Sequence, residues 1–182
     1  VGAACVLFCF LYTTLLAQHG MGDVLVLLFF GLVPVCLTYY VTMPPASQTI
    51  TAQVVWASLA CGLVIDTLLV VNNYRDYDQD RAVGKKTLIV RMGRERAEQL
   101  YGWLGNIATY MMWGCLVLGD SSFVLMLVCF ACFVPYALLH GATRVQMRRI
   151  GRGRELNKVL GMTARNMFVF GVTTAIVTLL IL

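Results

Sequence analysis

The stretch that decides the fold is VVWASLACGLVIDTLLVVNNYRDYDQDRAVGKK, residues 54–86. Its apolar part, Val54 to Val71, is 18 residues long and carries one charge, Asp66. At 1.5 Å per residue a helix of that length spans about 27 Å, close to the hydrocarbon thickness of a bilayer. The densest polar cluster of the chain follows directly, from Asn72 to Lys86. The stretch therefore predicts a membrane-spanning helix that opens onto a charged site.

The whole chain is too apolar for a typical soluble domain. Of its 182 residues, 59% are hydrophobic and 13% are charged, with a mean hydropathy of +0.77, whereas soluble domains are about 45–50% apolar and about 25% charged. No linker or repeat divides the chain. We therefore predict an all-α, polytopic transmembrane helix bundle, formed by residues 1–182 as one domain. Its six predicted spans are 1–17, 24–41, 54–71, 100–118, 123–140 and 166–182.

All 14 basic residues lie in two connectors, 72–99 and 141–165. Six spans place these connectors on the same side of the membrane, and the positive-inside rule makes that side cytoplasmic. The basic residues of the second connector, 141–165, are explained by their effect on membrane topology and by their attraction to the anionic headgroups of the lipid bilayer. The net charge of +5 requires no nucleic-acid partner.

The first basic connector differs because it also holds carboxylates. If the third helix continues past the membrane edge, Asn73, Asp76 and Asp80 fall at i, i+3 and i+7 and share one face. Asp66 shares this face deeper in the membrane, whereas Asp78 points elsewhere. Two carboxylates one turn apart repel each other unless a cation lies between them, and Mg²⁺ binds one or two carboxylates together with water and phosphate oxygens. We therefore predict a Mg²⁺–diphosphate clamp on Asp76 and Asp80.

Basic residues follow the carboxylates and can hold the remaining phosphate oxygens: Arg81, Lys85 and Lys86. Gly84 lets the backbone turn towards them. In a membrane enzyme the diphosphate belongs to a lipid, whose tail lies between the apolar helices. Basic groups then stabilise the leaving diphosphate, and aromatic faces can hold the allylic cation that remains. Candidate aromatic residues are Tyr39, Tyr40 and Tyr74, although an interfacial aromatic belt is the alternative for the first two.

The sequence NNYRDYDQDRAVGKKTLIVRMG, residues 72–93, resembles the second aspartate-rich motif of the UbiA-type intramembrane prenyltransferases. It matches the pattern N-N-x-R-D-x-x-x-D-R-x-x-G-K-x-T-L-x-V-R-x-G of the menaquinone-pathway branch, which prenylates 1,4-dihydroxy-2-naphthoate. Residues 12–41 are similar to the preceding helices of that family, including the G-x-G-D turn at Gly20, Gly22 and Asp23.

The resemblance implies a nine-span bundle around a cavity open to the bilayer, of which this chain is the C-terminal part. It implies that Asp76 and Asp80 bind Mg²⁺, that Asn73 and Arg75 line the polar head and that Lys85 contacts the diphosphate. The candidate catalytic residues are therefore Asp76, Asp80 and Arg75. The candidate substrate-binding residues are Asn72, Asn73, Arg81, Lys85, Lys86, Tyr39 and Tyr40.

The implied reaction is Mg²⁺-dependent transfer of a polyprenyl group from polyprenyl diphosphate to 1,4-dihydroxy-2-naphthoate, with loss of the carboxylate, to give demethylmenaquinone. This chemistry belongs to the bacterial cytoplasmic (inner) membrane. The first aspartate-rich motif of the family, N-D-x-x-D-x-x-x-D, does not occur in these 182 residues. We therefore interpret the chain as an N-terminally incomplete domain that holds half of the metal site and is inactive alone.

Three alternatives remain open at this stage. A related prenyltransferase could act on another aromatic acceptor, such as 4-hydroxybenzoate. A non-enzymatic transporter or lipid-binding subunit predicts polar residues in several helices, whereas the apolar segments hold mainly Asp66 and Asn106. A CDP-alcohol phosphatidyltransferase also uses aspartates and Mg²⁺, but its D-G-x-x-A-R element does not precede Asp76.

Overall fold

The computed structural model describes residues 2, 6, 20–117 and 122–181, and this part of the chain is all-helical, as predicted. The predicted span 1–17 lies outside the described residues, apart from Gly2 and Val6. The described helices are α1 (Gly22–Thr42), α2 (Ala52–Arg75), α3 (Tyr77–Ala82), α4 (Leu88–Met92), α5 (Arg94–Val117), α6 (Phe123–Ile150) and α7 (Leu156–Ile181), with a 3₁₀ turn at Pro45–Ser47.

Side-chain caps fix where three of these helices begin. The hydroxyl of Thr51 accepts a hydrogen bond from the Val54 amide at the start of α2, and Thr87 and Ser122 cap α4 and α6 in the same way. Such a cap satisfies a backbone N–H that has no partner within the helix. After α4 and α6 the chain turns at Gly93 and Gly151, whose positive φ angles favour glycine. Local sequence therefore determines these boundaries.

Four described helices are long and apolar enough to cross a membrane: α1, α2, α6 and α7. The six-span and nine-span counts are thus not confirmed. Helix α5 contains most of the predicted span 100–118 but is not among the four. Its 24 residues would reach about 36 Å, yet it begins with charged side chains and carries Asn106 near its middle, which lowers its hydropathy.

The helices continue beyond the predicted apolar spans and into the basic connectors. Helix α6 runs to Ile150 and α7 begins at Leu156, so that residues 151–155 alone separate them. Most of 72–99 is also helical. Polar side chains are compatible with helix outside the hydrocarbon region, so hydropathy marks the membrane-spanning length and not the end of a helix.

Contacts between connectors show that both basic segments lie at one end of the bundle, which we call the basic end. Arg94 donates a hydrogen bond to the carbonyl of Gly151 at 2.7 Å. The turn before α1 also lies there, because a Cβ on Gly20 would be 2.6 Å from the Lys86 carbonyl oxygen. At the opposite end the Cys115 thiol donates to the carbonyl of Gln53 at 3.1 Å. This arrangement agrees with the predicted alternation of connectors.

Helices α1 and α2 are antiparallel and approach closely at glycine. A Cβ on Gly31 would lie 2.7 Å from the Ser58 carbonyl oxygen and 2.8 Å from the Gly62 Cα, so a larger residue would separate the helices. The segment Leu27–Leu32 is a π-helix directly before Pro34, which has no N–H to bond to the preceding turn.

Two buried clusters hold the bundle together. The first fills the middle of the bundle and includes Ala60, Met112, Phe133 and Phe170. The second lies at the basic end and includes Val70, Val71, Tyr74, Ile89, Tyr101, Met147 and Leu156. Because this second cluster joins α2, α4, α5, α6 and α7, it holds the end of α2 and the following connector firmly in place.

Candidate functional site

The predicted clamp lies at a break between two helices. Helix α2 ends at Arg75, Asp76 adopts a non-helical φ of −88° and ψ of 4°, and α3 begins at Tyr77. The prediction of one continuous helix is therefore wrong. The backbone N–H of Asp76 nevertheless bonds to the Asn72 carbonyl at 3.1 Å, and that of Asp80 to the Asp76 carbonyl at 2.8 Å. These bonds keep Asp76 and Asp80 one above the other at the basic end.

Arg75 lies against the carboxylate of Asp76. Its Nε is 2.8 Å from Oδ1 and its Nη2 is 2.9 Å from Oδ2, which is a bidentate ion pair. The same guanidinium donates to Oδ1 of Asn72 at 2.9 Å and to Oδ1 of Asn157, on α7, at 3.1 Å. The structure thus brings Asn72, Arg75 and Asp76 together and adds Asn157, which the sequence analysis did not identify.

Asp80 is the more buried of the two carboxylates. The residue is 8% exposed, and Lys85 Nζ lies 3.3 Å from its Oδ1. Its Oδ2 is buried and has no hydrogen-bond partner. A buried carboxylate oxygen without a donor is energetically unfavourable and marks a position where a cation or a hydrogen-bond donor would be stabilised.

The remaining predicted residues surround this pair to different extents. Asn73 is buried on the bundle side of α2, whereas Arg81 and Lys86 are exposed. Arg75, Arg81, Lys85 and Lys86 carry four positive charges against the two negative charges of the clamp, which leaves a net charge of +2. A surplus of positive charge around paired carboxylates suits a ligand that is itself strongly anionic.

Arg94 connects the two basic segments, a role that sequence reasoning missed. It donates to the carbonyls of Tyr74 and Gly151 at 3.0 and 2.7 Å, and to Oδ2 of Asp78 at 3.0 Å. Its guanidinium also lies over the rings of Tyr74 and Tyr77, 4.9 and 4.8 Å from their centres. In the sequence Arg94 is one of several basic residues of its connector. Its partner Gly151 is 57 positions away, so no local sequence signal indicated this contact.

Tyr39 and Tyr40 do not join the clamp. Both lie near the end of α1, and Cys36 on the same helix contacts Ser58 near the start of α2. Asp76 is 18 residues further along the chain than Ser58, which corresponds to about 27 Å of helix. Tyr40 is 40% exposed on the outside of the bundle. This position at the far end of the bundle fits the interfacial belt that we gave as the alternative.

The residues of the clamp offer the type of ligand that Mg²⁺ prefers. Carboxylate oxygens are the hard ligands that Mg²⁺ takes, and Oδ2 of Asp80 is free of other bonds. In the described part of the chain no three His, Cys, Asp or Glu side chains form a group that could hold a metal. The protein would therefore supply at most two carboxylates here, which is the number that Mg²⁺ uses when phosphate and water complete its coordination.

Comparison with known proteins gives a family to which the chain is similar. The sequence model of the UbiA prenyltransferase family matches residues 1–168 of this chain. The chain is 35% identical over 184 residues to a 1,4-dihydroxy-2-naphthoate octaprenyltransferase of Mycobacterium tuberculosis, which covers 96% of this chain and 57% of that relative. An enzyme of the same name from Escherichia coli is 33% identical over 119 residues, which covers 65% of this chain and 32% of the relative.

The chain thus spans about a third to just over half of the length of these relatives. No solved structure matches it.

Proposed function

The chain belongs to the UbiA prenyltransferase family, and from this premise we propose that residues 1–182 are an integral-membrane domain of a polyprenyltransferase. The proposed reaction transfers a polyprenyl group from polyprenyl diphosphate to 1,4-dihydroxy-2-naphthoate and releases diphosphate and CO₂. Its product is the hydroquinone demethylmenaquinol, the reduced form of demethylmenaquinone, because no step of the transfer oxidises the ring. The names of the relatives support this acceptor. The observation that carries the proposal is the pair of Asp76 and Asp80, which are four residues apart, joined by a backbone hydrogen bond and each in contact with a basic side chain, at the basic end of apolar helices.

The proposed site binds the diphosphate by an exchange of partners. Arg75 and Lys85 neutralise Asp76 and Asp80 in this structure. When the diphosphate binds, these cations turn towards the phosphate oxygens, and Arg81 and Lys86 add two exposed charges. Mg²⁺, when bound to the carboxylates, supplies further positive charge to the diphosphate. The lipid tail lies along the apolar helices.

The proposed chemistry then requires few groups from the protein. The bond between C1 of the prenyl chain and the diphosphate oxygen breaks, and its electron pair leaves with the diphosphate. Arg75 and Lys85, once turned towards the phosphate oxygens, stabilise this developing negative charge electrostatically. A ring carbon of the acceptor forms the new bond to C1, and its carboxylate leaves as CO₂, which returns an electron pair to the ring.

The basic end is proposed to face the bacterial cytoplasm from the inner membrane. The multi-pass membrane character follows from the four apolar helices and the family. The orientation rests on the location of all 14 Lys and Arg residues in segments at that end, because positive charge favours the cytoplasmic side.

The proposal is tested on membranes that contain the complete protein, with polyprenyl diphosphate and either 1,4-dihydroxy-2-naphthoate or 4-hydroxybenzoate. We expect Mg²⁺-dependent prenylation of the naphthoate. Asp76→Ala should lower turnover about 100-fold or more, as the loss of a group that acts on transition-state charge does. Asp78→Asn is the matched control, since Asp78 is an exposed carboxylate of the same connector. Full activity of a folded Asp76→Ala variant would refute the clamp, and preference for 4-hydroxybenzoate would refute the acceptor.

A further inference from the structure

Two buried carboxylates lie outside the clamp. Asp66, in α2, is 2% exposed, and Asp23, in the first turn of α1, is 9% exposed. Oδ1 of each side chain is buried and has no hydrogen-bond partner. Among the described residues, neither forms an ion pair with Lys or Arg. Unpaired acids inside a membrane protein are costly, so their presence points to a ligand.

Helix packing brings these two acids to the same level of the bundle. A Cβ on Gly62 would lie 3.2 Å from the Cα of Leu27, where α1 and α2 cross. Asp66 is one turn beyond Gly62 towards the basic end, and Asp23 is one turn before Leu27. Because the helices are antiparallel, both acids lie one turn beyond that contact on the facing sides. They are close enough for Asp23 to act electrostatically on Asp66.

The acid pair is aligned with the clamp. Asp66 precedes Asp76 by ten residues, or about 15 Å of helix. Asn73 lies between them, seven residues after Asp66 and on the same face of α2. The turn before Asp23 packs on the connector that carries the clamp, with the Lys86 carbonyl oxygen 2.6 Å from a Cβ placed on Gly20. Asp66, Asn73 and Asp76 thus follow one another along α2 from the acid pair to the clamp.

We propose that Asp66, together with Asp23, binds a hydroxyl group of the aromatic acceptor. This inference rests on the proposed function and names the residues that hold its second substrate. Carboxyl oxygens accept hydrogen bonds from hydroxyl groups, and the acid pair repels the carboxylate of the acceptor. The carboxylate therefore points to the basic residues at the clamp, and the ring carbon that bears it faces C1 of the prenyl chain.

A metal ion is the less suitable ligand for the acid pair. Within the described residues, no third His, Cys, Asp or Glu joins Asp23 and Asp66 to form a metal-binding group. A site with two protein carboxylates and no phosphate nearby would leave most positions of a divalent cation to water, which apolar helices exclude. A hydroxyl donor satisfies the free oxygens without this requirement.

The test is Asp66→Asn in the complete protein, which keeps the size of the side chain. We expect KM for 1,4-dihydroxy-2-naphthoate to rise tenfold or more, while KM for polyprenyl diphosphate changes less than twofold. The apparent Tm should stay constant or rise, because the variant removes an unpaired buried acid. Thr67→Val is the matched control on the adjacent position, since its hydroxyl donates a hydrogen bond to the Val64 carbonyl of its own helix.

A substrate analogue makes the test specific for the hydroxyl group. 1-Hydroxy-2-naphthoate lacks the hydroxyl that lies farthest from the carboxylate. The unmodified protein should bind it at least tenfold more weakly than the dihydroxy acid, whereas Asp66→Asn should bind both alike. If turnover of the variant is too low for a KM, equilibrium dialysis of both naphthoates gives the same comparison.

Three results would overturn the inference. Unchanged acceptor affinity in Asp66→Asn would show that the acid does not contact the substrate. A fall in Tm with an unchanged ratio of the two KM values would show a structural role. A changed Mg²⁺ requirement would show a cation site. Asp76→Ala is measured in the same type of membrane. If Asp76→Ala retains turnover, the proposed function is refuted. If Asp76→Ala is inactive while Asp66→Asn behaves as the unmodified protein does, the acceptor site alone is refuted.

Discussion

Arg75 binds the carboxylate of Asp76 through two nitrogen atoms, with Nε 2.8 Å from Oδ1 and Nη2 2.9 Å from Oδ2. The residue expected to hold a diphosphate thus neutralises the residue expected to hold a metal ion. A third interaction, from Nη1 to Oδ1 of Asn157, connects this pair to the last helix of the chain. The site is therefore assembled from α2 and α7, which are far apart in sequence.

Arg75→Lys should weaken the site although the charge is kept. Lysine presents a single ammonium group and cannot form the bidentate contact. Hydrogen bonds to charged groups contribute about 1.5–3 kcal/mol, so kcat/KM for polyprenyl diphosphate should fall about 10- to 100-fold. Arg152→Lys, in the exposed turn between α6 and α7, is the control and should have no effect. Equal kinetics for both variants would contradict the role of Arg75.

Asn157→Ala should have a smaller effect of the same kind. The variant removes one partner of Arg75 and leaves its contacts with Asn72 and Asp76 in place. We expect KM for the diphosphate to rise about threefold to tenfold, which corresponds to one hydrogen bond of about 1 kcal/mol. The apparent Tm should not change, because Asn157 is exposed. Lys158→Ala on the same turn is the control, and an equal rise in its KM would refute the assignment.

Arg94→Gln should destabilise the protein. Arg94 joins the carbonyls of Tyr74 and Gly151 and the carboxylate of Asp78, and its side chain is largely buried. We expect a loss of about 2–3 kcal/mol, because each hydrogen bond to a charged group contributes about 1.5–3 kcal/mol and glutamine keeps some of them. The measurement is thermal unfolding in detergent at a fixed scan rate. Arg96 is an exposed residue of the same helix, and the control variant Arg96→Gln should have the same Tm as the unmodified protein.

Gly31→Ala should separate α1 from α2. The added Cβ would lie within 3 Å of backbone atoms of Ser58 and Gly62, which cannot move aside as a flexible side chain can. Overpacking of this kind costs about 1–3 kcal/mol. Gly171→Ala in α7 is the control: nothing lies within 4 Å of its added Cβ, and alanine favours helix over glycine by about 1 kcal/mol. A Gly31→Ala variant as stable as Gly171→Ala would contradict the packing.

The predictions from sequence were most accurate where the signal is local. Hydropathy located the four described helices that are long and apolar enough to cross a membrane, and the spacing of Asp76 and Asp80 placed both near the end of α2 with their basic neighbours. The break at Asp76 and the true ends of α6 and α7 were missed, since polar residues outside the membrane are compatible with either helix or turn. Tyr39 and Tyr40 were assigned to the site from their closeness in sequence, but antiparallel packing puts them at the other end of the bundle.

The sequence by itself determined that the described part of the chain is helical with helices apolar enough to span a membrane, and that carboxylates and basic side chains lie close together from Asn72 to Lys86. Both features depend on residues within a few helical turns of one another. The tertiary structure alone decided that Asn157 reaches Arg75, that Arg94 reaches Gly151 and that Asp23 comes to the level of Asp66. The first two are hydrogen bonds between residues 82 and 57 positions apart, and the two acids are 43 positions apart in the sequence. All three depend on how closely the helices pack. Gly31, for example, lets α1 approach α2 closely, but its effect on the distance between the helices can be seen only once both helices are in place.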